Sequence, residues 1–256
     1  LTRRIWLLWA TLVLGSLLSA PRAALAFGDE GAFNPRVLLT GIARWEGVRA
    51  TGPARWSTEL VQRTSAPARL LPTAVRADDP QLLAEPFVVW GGDKDIPPLT
   101  PREVSGLQRF IALGGVLLVD DFAPETGSFG RAARREVARV IPEGSIVDIG
   151  PENVLFRSFY LLRRALGRVE GPAKLSAIVR SGMAQVIFSS HDLLGALSYG
   201  SGGAAQLAVV PGGEPQREQA VRLAVNIAMY VLCSNYKDDQ VHAPFLMRKR
   251  APEQPP

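Results

Sequence analysis

Three short clusters hold the side chains that could do chemistry: Gly91, Gly92 and Asp93; Asp120 and Asp121; and Ser190, His191 and Asp192. Adjacent carboxylates at 120 and 121 offer hard oxygen ligands of the kind Mg²⁺ or Ca²⁺ takes. The same pair can cap a loop or join a buried salt bridge, and that is the expected use, because Asp is a common turn former. A Gly-Gly pair can present backbone amides to an anion, although turning the chain is the simpler role for Gly91 and Gly92. Ser189, Ser190, His191 and Asp192 are triad residue types, but neighbours in sequence cannot adopt triad geometry with one another. A base at His191 would need a nucleophile from elsewhere in the fold. His191 and Asp192 are therefore the catalytic candidates, and Gly91, Gly92, Asp93, Asp120 and Asp121 the ligand-binding ones. No metal site is assigned beyond the candidate pair Asp120 and Asp121, and no cofactor is expected.

What places these clusters together is an alternation of strands and helices. Residues 36–42 (RVLLTGI) read as a first strand, apolar enough to be covered on both faces. A helix follows over 53–63, with Trp56 and Leu60 on one side, then a short strand over 70–75. FVVW at 87–90 is a third strand. Thr100, Pro101 and Glu103 form a capping box with proline at the first helical position. Val104, Leu107, Phe110 and Ile111 then recur at helical spacing until Gly114 and Gly115 stop the helix. Residues 116–119 are the next strand, 129–140 a helix, and 146–149 a short strand. Segment 153–162 has no decisive period. Residues 175–179 and 184–189 read as a strand pair turned at 180–182, and 214–233 as a long helix apolar almost all round. Strands alternating with helices predict an α/β fold with a doubly wound, mostly parallel sheet. In such sheets ligands bind beyond the carboxyl ends of the strands, which is where the three clusters fall, together with Thr40 and Gly41.

The N-terminus carries an address. Arg3 and Arg4 precede an apolar run over 5–18, within the ~7–15 residue core of a secretory signal and short of the ~20 residues that span a bilayer. Pro21 and Arg22 break the run, and Ala24, Leu25 and Ala26 supply a small-x-small cleavage pattern. The expected organisation is a signal over 1–26, one α/β domain over 27–236 and a polar, proline-rich disordered tail over 237–256. Export to the periplasm with cleavage near Ala26 follows, with retention as an anchor the alternative. The 256-residue chain has a formal charge of +5. Removing 1–26 takes away Arg3, Arg4 and Arg22 and no acid, which lowers it to +2, so no nucleic-acid partner is indicated. Cys233 is the single cysteine. It excludes an intrachain disulfide and a cysteine-based metal site, and its apolar neighbours predict a buried, unreactive thiol.

The stretch FVVWGGDKDIPPLTPREVSGLQRFIALGGVLLVDD at 87–121 resembles the central block of class I glutamine amidotransferase-like domains. Within that superfamily the chain most resembles the bacterial domain of unknown function 4159. RAARREVARVIPE, FRSFYLL, VIFSSHDL and AVNIAMYVLCSNYK extend the resemblance over residues 34–237. It implies a flavodoxin-like three-layer sandwich and, because members are often joined to membrane proteins, an envelope protein partner. Amidotransferases carry a cysteine on a Gly-x-Cys-x-Gly turn and a later His-x-Glu pair. Here Asp120, Asp121 and Phe122 stand where the thiol should be, and His191-Asp192 is differently spaced. Acyl transfer through a thiolate needs an adjacent base, so that chemistry is not expected.

Two function classes follow. One is a non-catalytic binding or interaction module of the envelope; the other is a hydrolase using the strand-end Asp and His residues, with or without a metal. Arg131, Arg134, Arg135 and Arg139 line one helical face, which suits solvent or, in an exported protein, peripheral contact with the membrane surface. Asn226, inside an apolar helix, is expected to be hydrogen-bonded in the core.

Overall fold

Burial along the central strands alternates with a period of two, and that alternation builds two separate cores on the two faces of one sheet. A computed structural model describes residues 31–250, with side chains described through residue 234. The elements are β1 (Arg36–Leu39), α1 (Gly52–Thr64), β2 (Ala74–Arg76), β3 (Phe87–Gly92), α2 (Pro101–Ala112), β4 (Val116–Asp121), α3 (Ser128–Val140), β5 (Ile146–Ile149), β6 (Leu175–Arg180), β7 (Met183–Ser189), α4 (Leu193–Ala196) and α5 (Gly213–Arg250). Short 3-10 turns cover Val48–Thr51, Pro80–Ala84 and Val154–Arg157. Residues 1–26, read as a signal, lie outside the described residues. The expected tail over 237–256 carries helical backbone to residue 250.

The seven strands are ordered β2-β1-β3-β4-β7-β6-β5. The first five are mutually parallel, and β6 and β5 extend the sheet antiparallel. The predicted mostly parallel α/β sheet is thus observed, as a mixed sheet whose antiparallel part is the β6–β7 hairpin and its neighbour. Phe87 and Val89 of β3, with Val116 and Leu118 of β4, face α1 and α5, where Trp56 and Leu60 are fully buried. Val88, Trp90, Leu117 and Val119 face α2 and α3, meeting Leu107, Phe110, Phe129 and Val137. Among the described residues no helix is long and apolar enough to cross a membrane.

The α2 cap forms as its sequence predicts. Thr100 accepts from the Glu103 amide, Glu103 accepts from the Thr100 amide, and Leu107, Phe110 and Ile111 are buried beneath. Two expectations fail. Gly91 and Gly92 do not turn the chain; they are the last residues of β3, paired in register with Asp120 and Asp121. A Cβ on Gly91 would stand 2.2 Å from the Phe122 ring and one on Gly92 2.5 Å from Phe129, so both positions make room for aromatic rings. Cys233 is exposed rather than buried. The burial of α5 holds through Val231, then the helix passes the end of the sheet and its thiol faces outward.

Candidate functional site

The parallel register lines up the strand ends. Gly91 and Gly92 stand beside Asp120 and Asp121, and Asp120 stands beside Ser189. The strand order reverses between β1 and β3, the switch point where a doubly wound sheet opens its ligand crevice.

At that crevice the backbone of Gly41 is already engaged. Its amide donates to Glu103 Oε1 at 2.6 Å, its carbonyl accepts from the Arg76 guanidinium, and a Cβ there would stand 3.8 Å from the Pro97 ring. Glu103, recognised in sequence only as half of a capping box, therefore ties α2 to the end of β1. A second buried carboxylate, Glu136 on α3, accepts from the Leu99 amide at 3.0 Å and from Arg135 and Arg139. It fixes the loop after β3. Asp93, on that same loop, is exposed.

Asp120 is fully enclosed, and each carboxylate oxygen accepts one amide: Leu193 N at 2.9 Å and Leu194 N at 2.9 Å. It is the anchor that draws α4 onto the end of β4. Burial, then the charge of Asp192, pushes its carboxyl up to about 7, against the pull of the two amides. Asp121 accepts from Ala123 N at 3.1 Å and Gly130 N at 3.2 Å. Gly127, the residue at the α3 N-cap, has no side chain to cap with, so Asp121 supplies the missing acceptor from the preceding strand. Its carboxyl is likewise raised, by burial first, with the two amides opposing. Asp121 thus caps the loop that follows it, whereas Asp120 holds an element that the chain reaches only after β7.

Asp192 adopts a left-handed backbone, φ 52°, and accepts from Gly195 N at 3.0 Å as the cap of α4. It also takes two arginines. Arg49 grips it bidentately, Nε to Oδ1 at 2.7 Å and Nη2 to Oδ2 at 2.6 Å, and Arg168 donates to Oδ2. The Arg49 guanidinium lies 4.6 Å from the Phe122 ring centroid. Burial lowers its pKa, but the bond and charge of Asp192, with Asp120 and Asp93 behind, outweigh this and raise it. No spacing in the sequence pointed to Arg49 or Arg168, because their partner is far away along the chain.

His191 faces a different loop. Its Nε2 lies 2.9 Å from the Pro172 carbonyl, which can only accept, so Nε2 carries the proton and Nδ1 is an enclosed acceptor without a hydrogen-bond partner among the described residues. Gly167 and Gly171 pack against it so closely that a Cβ at either would collide with it. Burial, assisted by Arg164, lowers its pKa, with the Pro172 bond opposing. The imidazole is neutral and 1% exposed, poorly placed for proton traffic. Among the described residues no group of three or more His, Cys, Asp or Glu could hold a metal ion. The structure thus brings Asp120, Asp121 and Asp192 to one edge and turns His191 toward the 167–172 loop.

A protein-family model for a domain of unknown function (DUF4159) matches residues 36–232, so the chain belongs to that family. No curated protein matches it.

Proposed function

We propose that this family member is a non-catalytic binding or interaction module of the cell envelope, exported to the periplasm. Its sheet is read as flavodoxin-like, of the class I glutamine amidotransferase-like type without the nucleophile. The parallel strand order 2-1-3-4-7 supports that reading, since it follows the 2-1-3-4-5 order of flavodoxin-like sheets with the last strand delivered by a hairpin.

One observation carries the functional part. The buried carboxylates of the carboxyl edge, Asp120, Asp121, Asp192, Glu103 and Glu136, all accept from backbone amides, and two of them hold arginines as well. Groups buried and bound in this way position loops; a general base must lie within reach of a substrate proton. The loops they position make a rigid edge suited to recognition by shape, with an envelope protein as the partner class.

The hydrolase reading draws on a single feature, the carboxyl of Asp120 near 7 beside Asp192, because shifted carboxyls mark catalytic sites. Asp120 is fully buried and each of its oxygens holds the amide of a neighbouring element, which argues for the structural role. Purified protein offered glutamine and simple amides, with and without Mg²⁺, should show no turnover above buffer. Cross-linking in intact cells should recover an envelope protein, and an Asp93→Lys variant, altering an exposed charge at that edge, should reduce the yield. Turnover that disappears in Asp120→Asn while the fold persists would replace the proposal with the hydrolase.

A further inference from the structure

The segment that had no decisive period in sequence is a pinned knuckle, and its outer side is chemically distinct from the strand-end edge. Asn226, buried in α5, holds it from beneath. Asn226 accepts from Tyr160 N at 2.7 Å and donates to Leu155 O at 3.0 Å and Tyr160 O at 2.8 Å. The Leu162 amide closes back onto Phe156 O at 2.9 Å. Leu155, Phe156 and Leu162 are sunk into the core.

Fixing those three inward fixes their neighbours outward. In the Val154–Arg157 turn, side chains three apart eclipse, so Val154 and Arg157 share the outer side. Beyond it burial alternates, which puts Phe159, Leu161 and Arg163 outside. Leu161 is 86% exposed, Val154 52% and Phe159 44%. Single exposed hydrophobes need no explanation; three on one immobilised loop, interleaved with cations, do. Arg157 and Arg163 are exposed and make no ion pair or side-chain hydrogen bond among the described residues, and no acid occurs within 153–164. The α3 arginines differ. Arg131 binds Thr126 O, Arg134 lies over the Phe188 ring, and Arg135 and Arg139 are bound to Glu136. The membrane contact considered for that helix from sequence has a better site here.

We infer that the 153–164 knuckle seats the protein on an anionic lipid surface, Leu161 and Phe159 entering the acyl boundary while Arg157 and Arg163 meet headgroup phosphates. Charge complementarity selects that occupant. The charges of this segment are all cationic and no acid occurs within 153–164, so the surface that complements it is an anionic one. At a bilayer surface the interleaving of arginines with apolar side chains is favourable, because the long cationic side chains stay with the phosphates as the apolar ones sink. The inference is independent of the strand-end site.

The test uses residues 31–256, since the described elements and both cores lie within the compact unit Gly31–Pro256; the apolar N-terminal run, which would bind vesicles by itself, is thereby left out. Sedimentation with phosphatidylcholine vesicles, with and without phosphatidylglycerol, reads the bound fraction. Binding should require phosphatidylglycerol and weaken in high salt. Leu161→Ser should lower the partition roughly tenfold, and the pair Arg157→Gln with Arg163→Gln by about tenfold or more, while Arg131→Gln leaves it unchanged. Thermal melts should be unaltered by all of these exposed substitutions. Equal binding to both vesicle types, loss with Arg131→Gln, or no binding at all would overturn the inference. So would a dimer in solution that Leu161→Asp dissociates in a protein that ignores vesicles, which would assign the knuckle to a second copy of the chain.

Discussion

Asp192 is the residue on which the carboxyl edge turns. It is fully enclosed, caps α4 and neutralises Arg49 and Arg168, whose side chains are 18% and 19% exposed. Asp192→Asn leaves two guanidiniums facing a neutral amide, and breaking a buried ion pair by removing one partner costs about 3–5 kcal/mol. A urea midpoint close to wild type would show that the cluster contributes little. Asp120 makes a prediction about pH. Its folded carboxyl is raised from 3.8 to about 7, so the stability it supplies as the protonated acid is complete below about pH 4. That contribution is lost as pH rises through 7, where the ionised form must be kept buried. His191 works the other way over part of this window: its folded pKa is lowered, so its contribution fades as pH falls below the ordinary histidine range. The difference between wild type and Asp120→Asn cancels the histidine and isolates the aspartate. Wild type should lose stability relative to Asp120→Asn between about pH 4 and pH 7 by urea denaturation, and a constant difference would refute the raised carboxyl. Sequence alone identified Asp120, Asp121 and Asp192 as strand-end residues, because the ends of apolar runs are visible locally. It could not identify their partners. Arg49 meets Asp192 only after the chain has crossed the sheet several times, and nothing near Arg49 in sequence marks it.

At the level of elements, local signals were enough wherever the element's own residues decide its structure. The Thr100 capping box and the spacing of Leu107, Phe110 and Ile111 define α2 before any partner is known, and β3 and β4 pair in parallel as their crossover helix requires. The misread elements are those decided by contacts from elsewhere. Gly91 and Gly92 read as a turn because glycine pairs commonly are one. They are strand residues across which Phe122, from the loop after β4, and Phe129, from α3, lie. Gly91→Ala should therefore destabilise by about 1–3 kcal/mol through overpacking. Phe122→Leu in the same chain should recover part of the loss by vacating the space the methyl needs. If Phe122→Leu added its own cost on top in full, the ring would not be what requires glycine. Segment 153–162 lacked a period for a related reason. Its shape is set by Asn226, which the chain reaches only much later.

At the scale of the whole molecule, α5 binds the layers together, and its polar groups mark where. Trp56 Nε1 donates to Ala224 O at 2.8 Å, joining α1; Asn226 holds the knuckle; and the Tyr230 hydroxyl accepts from Ala184 N at 2.7 Å, joining the start of β7. Asn226→Ala would strand the Tyr160 amide and two carbonyls, groups that cost about 1–3 kcal/mol each when buried unsatisfied. Its loss of stability should accordingly exceed that of Tyr230→Phe, which strands one amide. Equal losses would mean that water replaces the asparagine. Further along the same helix the sheet runs out. Gly114 and Val116 mark the amino edge that Val231 and Ser234 reach, and between them Cys233 faces away. Its neighbours Met229, Tyr230, Val231 and Leu232 suggested a buried thiol, but apolar residues on both sides of a helix position do not determine which way that position points. Each residue is rotated from the last by a fixed step, and the sheet covers one side only. A maleimide should therefore label Cys233 in the native protein at close to the rate seen in the denatured chain, leaving the melting temperature unaltered. Labelling that appears only after denaturation would place the thiol under cover and return Cys233 to the core.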